Sequence, residues 1–130
     1  MKKTVLVLLA GAALFTACKK SDNGTTTQQK IVNKWSVVSD AGVDFYSGVA
    51  HPYTYTGVAT DYVDFRSDGK VYSNYGGSLD TTIYSIISDQ LIKIDTDTSQ
   101  IKTLTDNSFV LYNKQTSGAN YSESTITLKK

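Results

Sequence analysis

Apolar and polar residues divide this chain into three stretches with different rhythms. After the basic start Met1-Lys2-Lys3, the run from Thr4 to Ala17 carries no charge. From Lys19 to Lys30 the order is Lys-Lys-Ser-Asp-Asn-Gly-Thr-Thr-Thr-Gln-Gln-Lys, with no residue able to join a core, and this predicts a flexible tether. Beyond Ile31, short apolar alternations recur between polar turns, and no window of about eleven residues keeps a helical period.

The alternations predict strands at Lys34–Ser39, Asp61–Arg66, Lys70–Tyr75, Asp80–Ile87, Leu91–Ile94, Gln100–Thr105, Ser108–Asn113 and Tyr121–Lys129. Turns fall at Ser67-Asp68-Gly69, Gly76-Gly77-Ser78, Ser88-Asp89-Gln90 and Gly118-Ala119-Asn120, and Asp95–Ser99 reads as a polar turn. The stretch from Ala41 to Thr60 mixes Gly42, Gly48, Pro52 and Gly57 with an alternating Tyr53-Thr54-Tyr55, and reads as a loop holding a short strand. Short consecutive strands joined by tight turns make an antiparallel up-and-down meander. Closing about eight of them into a barrel removes the exposed edges and surrounds either a side-chain core or one small ligand. A two-sheet sandwich gives a similar pattern; the barrel is the preferred expectation. Composition agrees with an all-β fold, because Tyr, Thr, Val and Ile are plentiful after the first stretch while Ala and Leu become scarce.

The first stretch has the layout of an export signal, basic then apolar, and is shorter than the roughly 20 apolar residues a spanning helix needs. The single cysteine of the chain, Cys18, follows it directly. Leu14-Phe15-Thr16-Ala17-Cys18 resembles the lipobox of bacterial lipoproteins, with Phe15 where Leu is usual. The resemblance implies that residues 1–17 are a lipoprotein signal peptide. Cys18 is then lipidated, with a diacylglyceryl thioether and an amide-linked acyl chain of the palmitate kind, and residues 18–30 are the tether. Several acyl chains together give stable anchoring where one does not. Lys19 does not resemble the inner-membrane retention signal, which has Asp at that place. The expected address is therefore the cell envelope, at the outer membrane, with periplasmic or surface facing left open.

Residues 31–130 resemble the lipocalin-like domain of bacterial envelope lipoproteins. The resemblance rests on Ile31-Val32-Asn33-Lys34-Trp35, on Val63 to Val71, on Thr82-Ile83-Tyr84-Ser85-Ile86, on Ile101 to Tyr112, and on Ile126-Thr127-Leu128-Lys129. It implies a barrel in which Trp35 plugs the closed end and Lys129 packs over it, both structural roles. Asn33 stands where the family has Gly, a substitution the backbone tolerates because Asn visits left-handed conformations more readily than most residues.

Chemistry is sparse. Losing Lys2 and Lys3 with the signal moves the formal charge from +1 to −1, and no basic patch interleaved with aromatics points to nucleic acid. With Cys18 committed to lipid and His51 the only histidine, one chain can form neither a Cys-His nucleophilic pair nor a multi-histidine zinc site. His51, before Pro52, reads as a surface residue. The pairs Asp61/Asp64 and Asp95/Asp97 read as solvated turns, and Asp95–Ser99 lacks the Gly and the terminal Glu of a calcium loop. Gly76-Gly77 has no following Lys-Ser/Thr helix start and reads as a turn. Of nine tyrosines, Tyr46, Tyr53 and Tyr55 are least explained by strand packing and are the candidate binding residues. The expectation is a non-enzymatic, membrane-anchored lipoprotein without cofactor or metal, whose barrel binds a small apolar or amphipathic ligand. The alternative is a protein-interaction or assembly subunit of an envelope complex, its partner unknown.

Overall fold

The computed structural model describes residues 24–130; the expected signal segment and Cys18 lie outside the described residues. A short helix, α1 (Thr27–Ile31), precedes nine strands: β1 (Lys34–Tyr46), β2 (Val49–Thr56), β3 (Tyr62–Phe65), β4 (Lys70–Tyr75), β5 (Ser78–Ser88), β6 (Leu91–Ile94), β7 (Asp97–Leu104), β8 (Ser108–Ser117) and β9 (Asn120–Lys129). All pairings are antiparallel, and β9 returns to β1. Eight strands close the barrel, and β2 lies outside the closed ring.

Three expectations need correction. Residues 27–30 are not tether: Thr26 and Gln29 form a capping box that starts α1, and Ile31 at its end is fully buried. The Ala41–Thr60 stretch is no loop. It is a hairpin, formed by the upper half of β1 and by β2, turning on Ser47 and Gly48, both with positive φ. That is the two-residue turn whose twist matches the flanking strands, and Gly48 supplies one of its left-handed positions without a Cβ penalty. Finally, Asp97–Ser99 belong to β7 rather than to a turn.

The lower half of β1 pairs with β3 (Trp35 opposite Val63), while the upper half pairs with β2 (Asp40 opposite Tyr55). Chain 57–61 bulges out between these two partners, pinned by Gly57 N–H to the Val38 carbonyl and Val37 N–H to the Asp61 carbonyl. β2 is left as an edge strand. Counting back from the tight turn, the Val43–Pro52 pair is of the non-hydrogen-bonded kind, so Pro52 keeps the β1 ladder intact and removes a donor from the free edge. The edge is blunted against strand addition.

The core gathers at one end. Trp35, Phe65, Ile92, Phe109 and Leu128 are essentially inaccessible, with Ile31 sealing them from below. Phe109 sits 5.5 Å from Trp35 and 5.6 Å from Phe65, and Tyr84 meets Phe65 edge-on at 5.1 Å. The Trp35 indole donates to the Ile31 carbonyl at 2.9 Å, which satisfies its only polar atom and ties α1 to the barrel floor. Tyr84 is similarly satisfied, accepting from Gln28 at 3.0 Å and donating to the Arg66 carbonyl at 2.8 Å.

Candidate functional site

The upper half of the barrel has a different interior, and a single irregularity in β1 creates it. Trp35 and Val37 face inward. The β1–β9 register then slips between Val37 and Ser39, inserting one residue and reversing the parity of everything above. A slip of one residue exchanges the two faces of a strand. The apolar Ala41, Val43 and Phe45 therefore turn outward, where Phe45 stacks on Tyr121 at 5.1 Å. Asp40, Gly42 and Asp44 turn inward, opposite Ile126, Ser124 and Ser122 of β9.

β2 faces the same space. Tyr55 is opposite Asp40, Tyr53 opposite Gly42 and His51 opposite Asp44. Gly42 has a steric purpose: a Cβ there would run into the Glu123 carbonyl oxygen and stand 2.8 Å from the Tyr53 hydroxyl, so only glycine lets both β9 and that ring come so close to β1. The resulting cavity, of about 350 Å³, is bounded by Tyr53, Asp97, Ser99, Asn113, Ser122 and Ser124, over an apolar floor of Ile94, Leu111 and Ile126. A second hollow of about 390 Å³ lies at the rim between the tips of the β1–β2 and β8–β9 hairpins. Its walls belong to only two exposed hairpins, whereas five strands hold the lumen cavity, which is the better-defined site.

Two phenols beside the lumen are perturbed. Tyr75 donates to Asp40 Oδ2 at 2.9 Å, while Asp40 Oδ1 is buried with no hydrogen-bond partner. Burial first, and then the Asp40 carboxylate, push the Tyr75 phenol far above its ordinary range. Burial and the Asp40 charge raise Tyr53 in the same way. The Ser122 hydroxyl donates to Asp44 at 2.6 Å.

Asp61 serves a different purpose. It is fully buried and accepts from the Tyr55 hydroxyl at 2.5 Å, from Val58 N–H at 2.9 Å and from Gly76 N–H at 3.2 Å. The Tyr55 and Val58 hydrogen bonds hold its carboxyl below the usual carboxylate range, against the effect of burial. This carboxylate ties the 57–61 bulge, β2 and the β4–β5 turn together. It is a structural knot and no solvated turn. Asp64, on the opposite face, pairs with Arg66 at 3.0 Å.

The three candidate tyrosines thus share the inner face of one hairpin and separate in role. Tyr53 lines the cavity, Tyr55 stacks on Tyr75 at 4.8 Å and binds Asp61, and Tyr46 projects at the exposed tip, stacked on His51 at 4.1 Å. Among the described residues no group of three His, Cys, Asp or Glu side chains could hold a metal ion. At the opposite end, the cation over the Trp35 ring is Lys130, at 5.3 Å, and Lys129 is exposed. Sequence reading missed Asp40, Asp97 and Ser124 as lumen residues, because their inward orientation depends on strand parity. Searches against protein-family models and against curated proteins return no match for this chain.

Proposed function

We propose that this protein is an envelope lipoprotein, anchored through acylated Cys18, whose barrel lumen binds a small amphipathic molecule without transforming it. The observation that carries the binding reading is the cavity of about 350 Å³ with an apolar floor and polar walls. Its size falls at the lower end of the roughly 300–1,000 Å³ typical of ligand sites. Polar walls favour an amphipathic guest over a purely apolar one, since the hydroxyl and amide groups lose hydration on closure and need partners in return. Asp61, the one fully buried carboxylate among the described residues, is committed to three donors, which supports a receptor reading.

The test is a thermal-shift screen of a fragment panel against the full chain and a Ser124→Trp variant that fills the lumen. Binders should raise the melting temperature of the wild type and leave the variant unmoved. A panel without binders, or shifts that survive Ser124→Trp, would remove the lumen reading. Mass spectrometry of the mature protein from its native membrane tests the anchor: an acylated N-terminal Cys18 is expected, and an unprocessed Met1 or a bare thiol would overturn it.

A second reading, as an assembly subunit, is favoured by the outer face of β5. Leu79, Ile83 and Ile87 alternate along it and are 75%, 64% and 54% exposed. Detergent extraction with a stoichiometric partner would support this reading, and release of the partner by Ile83→Lys would locate the contact.

A further inference from the structure

We infer that the molecule this lumen takes is a small organic cation, a protonated amine on a short apolar body; the inference rests on the lumen reading and narrows it to one ligand class. The first ground is the distribution of charge. Asp97 lines the cavity, the β1–β9 register turns Asp40 and Asp44 toward the same side, and among the described residues no lysine or arginine lines it. Several of the described basic side chains are engaged elsewhere: Lys114 pairs with Glu123 and covers Tyr121, Lys102 lies over Tyr112, Arg66 pairs with Asp64, and Lys130 covers Trp35. An anionic guest would meet Asp97 on the wall, with Asp40 and Asp44 behind the lining, and no lysine or arginine beside it. In a partly desolvated space that repulsion is stronger than in bulk water.

The second ground is an incomplete hydrogen-bond set. Asp40 Oδ2 has its donor in Tyr75, whereas Oδ1 is shut from solvent with none. A buried carboxylate oxygen left unpaired is costly, and an ammonium group supplies the missing donor together with the opposite charge. Tyr53 stands between Asp40 and the cavity: it lines the cavity and feels the Asp40 charge. On this inference the guest displaces the Tyr53 ring to reach Oδ1.

The remaining lining fits the same guest. Serine hydroxyls at 99, 122 and 124 and the amide oxygen of Asn113 can accept the other ammonium protons. The ring of Tyr53, which lines the cavity, attracts a cation through its quadrupole. Ile94, Leu111 and Ile126 offer the apolar body a floor.

Three probes of matched shape test the inference by calorimetry on the full chain in a non-ionic detergent: 2-phenylethylamine, 2-phenylethanol and 3-phenylpropionate at neutral pH. The amine should bind about tenfold more tightly than the alcohol, as a charge-assisted hydrogen bond implies, and the acid most weakly. Asp40→Asn should weaken the amine about tenfold and leave the alcohol unchanged, with Asp97→Asn a smaller loss in the same direction. The melting temperature of each variant, and its retained alcohol binding, show that the fold survives. Equal affinity for amine and alcohol, or amine affinity unmoved by both substitutions, would overturn the cation while leaving a lumen receptor standing. Failure of all three probes would also overturn it, and the fragment panel then decides the lumen reading separately.

Discussion

The two ends of this barrel are built from the same eight strands and behave as opposites. At the lower end every inward position is apolar or fully satisfied, and Trp35, Phe65 and Phe109 fill the space between walls with Ile31 beneath them. At the upper end the inward positions are aspartate, tyrosine, serine and asparagine around a void, and at least one buried polar atom has no partner. Stability and recognition are thus separated along one axis. The lower end can be packed to the density of a crystal because it holds nothing else, and the stability so gained lets the upper end retain an unfilled, under-satisfied interior.

The comparison can be broken most severely from below. Trp35→Ala should cost about 3–5 kcal/mol, the range for truncating a fully buried large aromatic, measured by urea denaturation. A cost under about 1 kcal/mol would mean that the floor is not the stabilising end.

Gly42→Ala attacks the boundary. The added methyl cannot coexist with the present places of the Glu123 carbonyl on β9 and the Tyr53 ring. A loss of about 1–3 kcal/mol is expected, with quenched binding of any lumen ligand. An unchanged chemical shift of the Tyr53 ring in this variant would show that the ring does not cross β1.

Asp61 offers a pH-resolved version of the same contrast. Its pKa is lowered on folding from the ordinary 3.8. The unfolded chain therefore takes up the proton first, and the stabilisation is full above pH 3.8 and declines as pH falls through the lower folded value. Melting temperature followed from pH 6 down to pH 2 should drop in the wild type, and Asp61→Asn should flatten that part of the slope. Parallel curves would remove Asp61 as the knot of the bulge.

The smallest expected effect distinguishes two adjacent lysines. Lys130→Ala should lose about 0.5–1 kcal/mol through its contact with the Trp35 face, and Lys129→Ala should stay within about 0.5 kcal/mol of wild type. Equal losses would return the covering role to Lys129.

The chain by itself determined the class of fold, because inward and outward residues alternate with period two and turn chemistry separates the runs. Val63 and Phe65, Val71, Ile92 and Ile94, and Phe109 and Leu111 all announce an inner face, and β4 and β6 have the limits their sequences predict. The place of Trp35 at the floor was expected only from the family resemblance, and no local pattern announces it. What no local pattern could decide is the parity of β1 above Val37. Val37, Ala41, Val43 and Phe45 look like one continuous inner face. The bulge opposite β9 sends the last three outward and brings Asp40, Gly42 and Asp44 to the lumen. A bulge exists only with respect to a partner strand, and β9 lies some ninety residues downstream. Tertiary structure alone therefore chose which face of the hairpin became core and which became site.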